Sequence, residues 1–319
     1  MDLVNSLSDR LLFAVPKKGR LYEQCLSLLH GADVQFRRHN RLDIALSTNL
    51  QVALVFLPAA DIPRFVAEGR VALGITGVDQ VKESEAEVEI ACPLNFGKCK
   101  LQVQVPKDGN ISEPKQLIGK SVVTSFTHLA TKYFAELEGV PCDGPIYEVQ
   151  EKLKTSIKYV GGSVEAACAL GLADGIVDLV ESGETMKAAG LKAIATVLDT
   201  EAAIISSKKP EAFLVASEEA AANKEDHHDL VDLIIRRIRG VVDAQKYVLC
   251  TFNAPKKMLP DLLKVTPGRR AATVSPLEDT DWVAVSSMVL KGDIALKMDE
   301  LERYGASDIL VFNISNSRN

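Results

Sequence analysis

The stretch Gly175-Ile-Val-Asp178-Leu-Val-Glu181-Ser182-Gly183-Glu184-Thr185-Met186 sets an apolar run directly ahead of acids, hydroxyls and a glycine. A strand that runs through such a loop into a helix leaves the first helical N–H groups without internal partners, and these carry positive partial charge. A turn of this kind binds phosphate: Gly183 permits close backbone approach, and Ser182 and Thr185 add hydroxyl donors. Asp178 and Glu181, at the rim, suit ribose hydroxyls or a divalent cation bridging phosphates. An ordinary strand–turn–helix junction with capping side chains has the same composition, and this stretch by itself is compatible with both. Two further junctions, Thr124-Ser125-Phe126-Thr127 and Gly161-Gly162-Ser163, also end apolar runs on small, hydroxyl-bearing residues. Three such loops at the carboxyl ends of strands converge on one crevice, where open α/β sheets take their ligands.

A basic segment complements them. Pro16-Lys17-Lys18-Gly19-Arg20 lies between a strand and a helix, and residues 10, 17, 18, 20, 37, 38 and 41 are all Lys or Arg. Against them stand only Glu23 and Asp33, a local surplus of five positive charges that would draw in polyphosphate. Leu73-Gly74-Ile75-Thr76-Gly77-Val78-Asp79 is another strand–glycine–helix junction expected to face the same way. There is no GxxxxGK[ST] loop, no convincing GxGxxG after a strand, and no GxSxG or Ser/His/acid set. His128, alone at a helix start, reads as a capping or packing residue. Glu83, Glu85, Glu87 and Glu89 in KESEAEVE read as a solvated face. Phosphate loops, cations and acids without a nucleophile fit a reaction driven by positioning and charge neutralisation.

The elements that must place these residues alternate over the first 210 positions. Strands are expected at 11–15, 52–57, 71–75, 101–105, 121–125, 156–160, 175–180 and 202–206, the 101–105 run half-exposed or linking by its period of two. Helices are expected at 21–29, 61–68, 128–138, 163–170 and 184–189. That order implies βαβ units and two α/β lobes around a cleft, with 202–206 returning to the first lobe. The polar, alanine-rich stretch from Ser217 to Asp229 marks a boundary. Beyond it a helix (230–242) precedes strands at 247–252, 272–274, 283–289 and 308–314, with helices after Pro255 and at 294–304, a β-α-β-β-α-β order typical of ferredoxin-like modules.

The chain has 319 residues, 47% hydrophobic and 25% charged, with a net charge of −6, the profile of a soluble globular protein. The acidic balance and lack of a basic stripe argue against nucleic acid as partner, and no apolar run is long enough for a membrane span. MDLVNSLSDR carries no signal-peptide pattern, and six scattered cysteines without CxxC read as reduced thiols in a cytoplasmic protein. A two-lobed solute receptor and a regulatory subunit without catalysis are the alternatives. The first conflicts with the missing signal pattern, the second with the intact ESGET and PKKGR segments.

EAACALGLADGIVDLVESGETM at 165–186 closely resembles the signature of the ATP phosphoribosyltransferase family, which opens histidine biosynthesis. PKKGRL at 16–21, LPAADIP at 57–63, LGITGVD at 73–79, FGKCKLQV at 96–103 and TSFTHLATKYF at 124–134 resemble it too. RIRGVVDAQKYVL at 237–249, TPGRRAATVSPL at 266–277 and WVAVSSMV at 282–289 resemble the regulatory domain of its long form. The resemblance implies a catalytic core of α/β class, two-lobed like type II periplasmic binding proteins, plus a C-terminal ferredoxin-like (ACT-like) α+β domain. Lobe I would span 1–100 and about 195–215, lobe II 101–194, and the regulatory domain 220–319. It also implies transfer of the phosphoribosyl group of 5-phosphoribosyl 1-pyrophosphate (PRPP) to ATP, with Mg²⁺ carried by the substrates near Asp178 rather than at a fixed site. Histidine would be the feedback inhibitor and the assembly a homohexamer of dimers.

On that resemblance PRPP is expected at Asp178, Glu181, Ser182, Gly183, Glu184 and Thr185, with Asp178, Glu181, Lys17 and Arg20 serving catalysis. ATP is expected near Lys17, Gly19, Arg20, Arg41, Gly77, Asp79, Thr124 and Ser163. Histidine is expected near Leu249, Thr251, Ser286 and Ser287, where small polar groups lie on strands.

Overall fold

Continuous apolar runs bounded by proline or glycine become central strands, as burial on both faces of a parallel sheet requires. The computed structural model describes residues 7, 10–38, 42–209, 224–279 and 281–318. One sheet contains β1 (Leu11–Pro16), β2 (Ile44–Leu46), β3 (Val52–Leu57), β4 (Leu73–Gly77), β5 (Val88–Pro93) and a late strand, β11 (Ala202–Ser207), in the order β2-β3-β1-β4-β11-β5. β1 runs parallel to β3 and β4, whereas β11 is antiparallel to its neighbours β4 and β5. Helices α1 (Tyr22–Gly31), α2 (Ile62–Ala67) and α3 (Val78–Glu83) connect these strands. Gly74 lets α2 lie directly on β4: a Cβ there would come within 2.6 Å of the Ile62 side chain.

The second sheet contains β6 (Cys99–Pro106), β7 (Ser121–Thr124), β8 (Ser156–Tyr159), β9 (Gly175–Val180) and β10 (Leu191–Thr200), in the order β10-β6-β9-β7-β8. Its helices are α4 (Thr127–Glu138), α5 (Ile146–Lys152), α6 (Ala166–Ala169) and α7 (Glu184–Ala188). The two sheets share one plan. In β3-β1-β4-β11-β5 and in β8-β7-β9-β6-β10, the fourth place belongs to the strand that has crossed from the other lobe. The chain crosses outward between β5 and β6 and returns between β10 and β11, so the expected two-lobed core and the return at 202–206 are both present.

The linking strand β6 is central rather than half-exposed: Leu101, Val103 and Val105 are fully buried, and even Gln104 is 2% exposed. Its pairing with both β9 and β10 covers the polar positions too. Strands β2 and β10 and helices α3 and α5 carry weaker patterns. Pairing irregularities between Ala193 and Ala195 and between Thr196 and Leu198 interrupt β10's alternation, which hides a ten-residue strand from a period-two reading.

Contacts group Met1–Cys25 with Phe36–His228, and Leu26–Gln35 with Asp229–Asn319. The second unit carries α8 (Lys224–Gln245) from Asp229 onward, β12 (Tyr247–Pro255), α9 (Leu259–Val265), β13 (Thr273–Pro276), β14 (Trp282–Leu290), α10 (Ile294–Arg303) and β15 (Ser307–Asn313). Its antiparallel sheet has the order β13-β14-β12-β15, and β-α-β-β-α-β connectivity makes it the expected ferredoxin-like module. Val248, Cys250, Phe252, Val283, Val285 and Leu301 fill its core. The start of the expected boundary, Ser217–Asp229, falls on 210–223, outside the described residues. Among the described residues no helix is long and apolar enough to cross a membrane. Cys25, Cys92, Cys99 and Cys250 are buried, and none of them is in a disulfide.

Candidate active site

Strand β9 is buried through Val177 and emerges at Asp178. Asp178 Oδ1 accepts the Leu179 N–H at 2.9 Å. Burial raises its pKa above the ordinary carboxylate value, and the Glu165 carboxylate pushes the same way against the opposing Leu179 N–H. Gly183 takes the left-handed conformation (φ +78°) that turns the chain into α7, and Ser182 Oγ accepts the Glu184 N–H at 3.3 Å. The result is a short, solvent-facing turn with exposed Glu181, Ser182, Glu184 and Thr185. Asp178, Glu181, Ser182, Gly183 and Thr185 line a cavity of about 260 Å³ together with Arg20 from the first lobe. Glu165, Gln104 and Cys99 also line it. Sequence reasoning passed over all three, although FGKCKLQV and EAACALG carry two of them. Burial pushes the Cys99 thiol up to about 11, so it stays protonated at neutral pH.

A second cavity, of about 710 Å³, shares Glu181, Ser182, Gly183 and Met186 with the first. It adds Lys98, Lys100 and Lys187 as cations and Asp199 and Glu201 as anions.

The basic wall of the first lobe divides once folded. Arg10 donates to the carbonyls of Ser47 and Leu50 and so ties down the turn before β3. Lys17 pairs with Asp43 at 2.6 Å and Arg38 meets the same carboxylate at 3.5 Å while its guanidinium lies 3.8 Å from the Phe56 ring centre. Asp43 lies just beyond the basic window, so the surplus read from 10–41 overstated the free charge. Arg20 is the one member of the set lining either of these two cavities among the described residues. Gly19 is exposed at φ +90°, forming the turn that presents Arg20. Arg41 lies outside the described residues.

Other expected nucleotide contacts turn inward. Thr124 is fully buried: its hydroxyl donates to the Val177 carbonyl at 2.6 Å and accepts the Phe126 N–H at 2.8 Å. Gly77 and Asp79 are buried as well, and Ser163 is exposed on a left-handed turn outside both cavities. Of the three hydroxyl-rich junctions, all at the carboxyl ends of the parallel strands β7, β8 and β9, only the 178–186 turn lines either of these two cavities among the described residues.

The α4 N-terminus is already occupied. Glu83 of the first lobe accepts the His128 N–H at 2.9 Å and the Leu129 N–H at 3.0 Å, and Glu85 lies 2.9 Å from Lys132 and 3.1 Å from His128 Nε2. KESEAEVE is therefore solvated only in part. Its first two acids fasten the lobes, placing a carboxylate on the positive end of a helix. Glu83→Ala is expected to destabilise the protein by about 1 kcal/mol, the usual worth of a lost helix cap, as measured by urea denaturation; unchanged stability would show the cap to be redundant.

In the ferredoxin-like module, Leu249 and Ser286 line a cavity of about 740 Å³ with Thr273, Met288, Arg269 and Arg270. Thr251 is opposite Ser286 in the strand register but outside the cavity lining. Ser287 is 2% exposed and donates to the Thr266 carbonyl at 2.8 Å on the other face of β14. Successive strand residues point to opposite faces, so Ser286 and Ser287 cannot serve one ligand there.

The sequence matches the family described as ATP phosphoribosyltransferase over residues 58–240 and its C-terminal domain over 244–316. It is 66% identical over 318 residues to the ATP phosphoribosyltransferase of Yarrowia lipolytica and 59% identical over 318 residues to that of Saccharomyces cerevisiae, each alignment covering 100% of both chains. A solved chain of the Thermotoga maritima ATP phosphoribosyl transferase (HisG:HisZ) complex shares the fold, with a TM-score of 0.56 at 20% identity over 73% of this chain and 98% of that one. On the sequence matches, which run the length of the chain, the protein belongs to the ATP phosphoribosyltransferase family.

Proposed function

We propose that the cleft condenses ATP with PRPP, the first step of histidine biosynthesis. The observation that carries this reading is the shared wall: one face of the 178–186 turn borders the smaller cavity, where Arg20 is aimed, and the same turn borders the larger one. Two substrates that are to be joined need adjacent compartments whose boundary is the reacting centre. The turn's N–H and hydroxyl groups hold the 5-phosphate, Asp178 and Glu181 face the ribose, and Arg20 faces the pyrophosphate. The larger cavity takes the nucleotide, with Lys98, Lys100 and Lys187 available to the triphosphate.

Adenine N1 attacks the anomeric carbon as the C–O bond to pyrophosphate breaks, the leaving group takes the electron pair, and the adenine amino group gives up a proton. The transition state is oxocarbenium-like and needs no covalent enzyme intermediate. Asp178 and Glu181 offer the hard oxygen donors that suit Mg²⁺, and when bound with the substrates the ion neutralises the pyrophosphate. Catalysis is then shared among several groups, so no single substitution removes all of it.

Histidine acts as inhibitor through the ferredoxin-like module, in a cytosolic homohexamer built from dimers. The reading is tested by mixing the protein with ATP, PRPP, Mg²⁺ and pyrophosphatase and following the absorbance of the adduct. Product formation that requires all three reactants supports it; no product over a range of pH and Mg²⁺ overturns it.

A further inference from the structure

Arg20 reaches the cleft under unusual restraint. Its Nη1 donates to the Gly97 carbonyl at 2.6 Å, and its Nη2 lies 3.6 Å from Asp79 Oδ1. Asp79 is 1% exposed, far too enclosed to meet a substrate. Its carboxylate is itself oriented: the Thr200 hydroxyl donates to Oδ1 at 2.8 Å, Gln80 Nε2 donates to Oδ2 at 3.0 Å, and the Asp79 N–H donates back to Thr200 Oγ1 at 2.9 Å. A buried charge is tolerated where partners of this kind compensate it.

Two glycines clear the space. A Cβ on Gly77 would collide with the Asp79 carboxylate. One on Gly97, already at φ +61°, would collide with Leu21 and come within 3.1 Å of Arg20 Nη1. Thr200 ends β10, the strand that returns to the first lobe, and Gly97 precedes β6, the strand that leaves it. Arg20 is thus held at the two places where the chain crosses between lobes.

We propose that Asp79 is a positioning residue that fixes the Arg20 guanidinium toward the smaller cavity, with Thr200 orienting the Asp79 carboxylate. This rests on reading that cavity as the PRPP site. A guanidinium placed beforehand stabilises charge developing on a leaving group without reorganising as the bond breaks. The arrangement also explains why a buried aspartate, a threonine and two glycines from separate segments converge on one cation.

The test is a double-mutant cycle. Arg20→Ala and Asp79→Asn are each expected to lower kcat/KM for PRPP on the order of 10²-fold, the cost of a misplaced binding group. The double variant is expected to be no worse than Arg20→Ala, because Asp79 acts only through Arg20. Thr200→Val, which keeps both charges, should shift the same parameter less and add nothing to Arg20→Ala. Calorimetric binding of inorganic pyrophosphate should weaken in the same non-additive pattern, and this readout stands even if the reaction itself were different. Additive losses in kinetics and binding overturn the proposal, as does wild-type behaviour of Asp79→Asn. Absence of turnover in the wild type, with the binding pattern intact, would instead overturn the reaction.

Discussion

Asp178→Asn is expected to lower kcat/KM for PRPP by about 10²- to 10³-fold, the cost of removing one preorganised charged group from a transition state, and at the same time to raise the melting temperature. The first effect follows from place. Asp178 stands where β9 opens into the phosphate turn and lines the smaller cavity with Glu181 and Arg20. Asparagine keeps the bond from Leu179 N–H to Oδ1 and loses the charge that, in the proposed reaction, would face the ribose. The second effect follows from the raised pKa, set chiefly by burial and then by Glu165. A carboxyl whose pKa is higher in the folded than in the unfolded state stabilises the fold while protonated, below its unfolded pKa. That contribution is lost as pH rises through the folded value. At neutral pH the ionised side chain is therefore a strain on the fold that asparagine relieves, and the gain should shrink as the pH is lowered into the acid range. Steady-state kinetics and thermal melts at two pH values check both halves. Wild-type kinetics would remove Asp178 from the site, and a lower melting temperature would remove the burial argument.

Ser286→Phe is expected to abolish histidine sensitivity. Ser286 lies mid-strand on β14, opposite Thr251 on β12 and Thr273 on β13, with its side chain at the cavity of about 740 Å³ in the ferredoxin-like module. A phenyl ring suits strand backbone and fills that space without reaching the opposite face, where Ser287 joins the core. The ratio of initial rates without and with histidine should fall to near one, a change of more than tenfold in the inhibitory concentration, on the order of the coupling free energies found between allosteric sites. A ratio equal to that of the wild type would place histidine elsewhere. Ser287→Ala, on the core face, is expected to act on stability through the lost bond to Thr266.

The contrast between these residues shows what was legible in the chain. The run 175–180 and the helix start at Glu184 were readable because local pattern decides them: an apolar strand, a left-handed glycine and a hydroxyl cap are neighbours in sequence. The ferredoxin-like order was readable for the same reason. Residues whose roles depend on distant partners were not. Lys17 belongs to Asp43, Glu83 to the amides of His128 and Leu129, and Asp79 to Thr200, and nothing near any of them in sequence announces the pairing.

Junctions of small residues misled in one consistent way. LGITGVD is expected to face the cleft with Gly77 and Asp79 near ATP, yet Gly77 makes room for a buried carboxylate. TSFT looked like a hydroxyl-rich loop, yet Thr124 spends its hydroxyl on β9 and a glutamate closes the helix behind it. Small residues mark close approach, and only the fold shows what approaches. The separation of Ser286 from Ser287 was within reach of strand alternation alone.

In the proposed reaction the 178–186 turn holds the phosphoribosyl donor. Hydrogen exchange of the backbone amides, measured with and without PRPP and Mg²⁺, reports on it without requiring turnover. Residues 182–186 are exposed or half-buried at the start of a short helix, and their amides should exchange fast in the free protein and become strongly protected on binding. Protection centred there supports the account; protection elsewhere, with these amides unchanged at saturating PRPP, contradicts it.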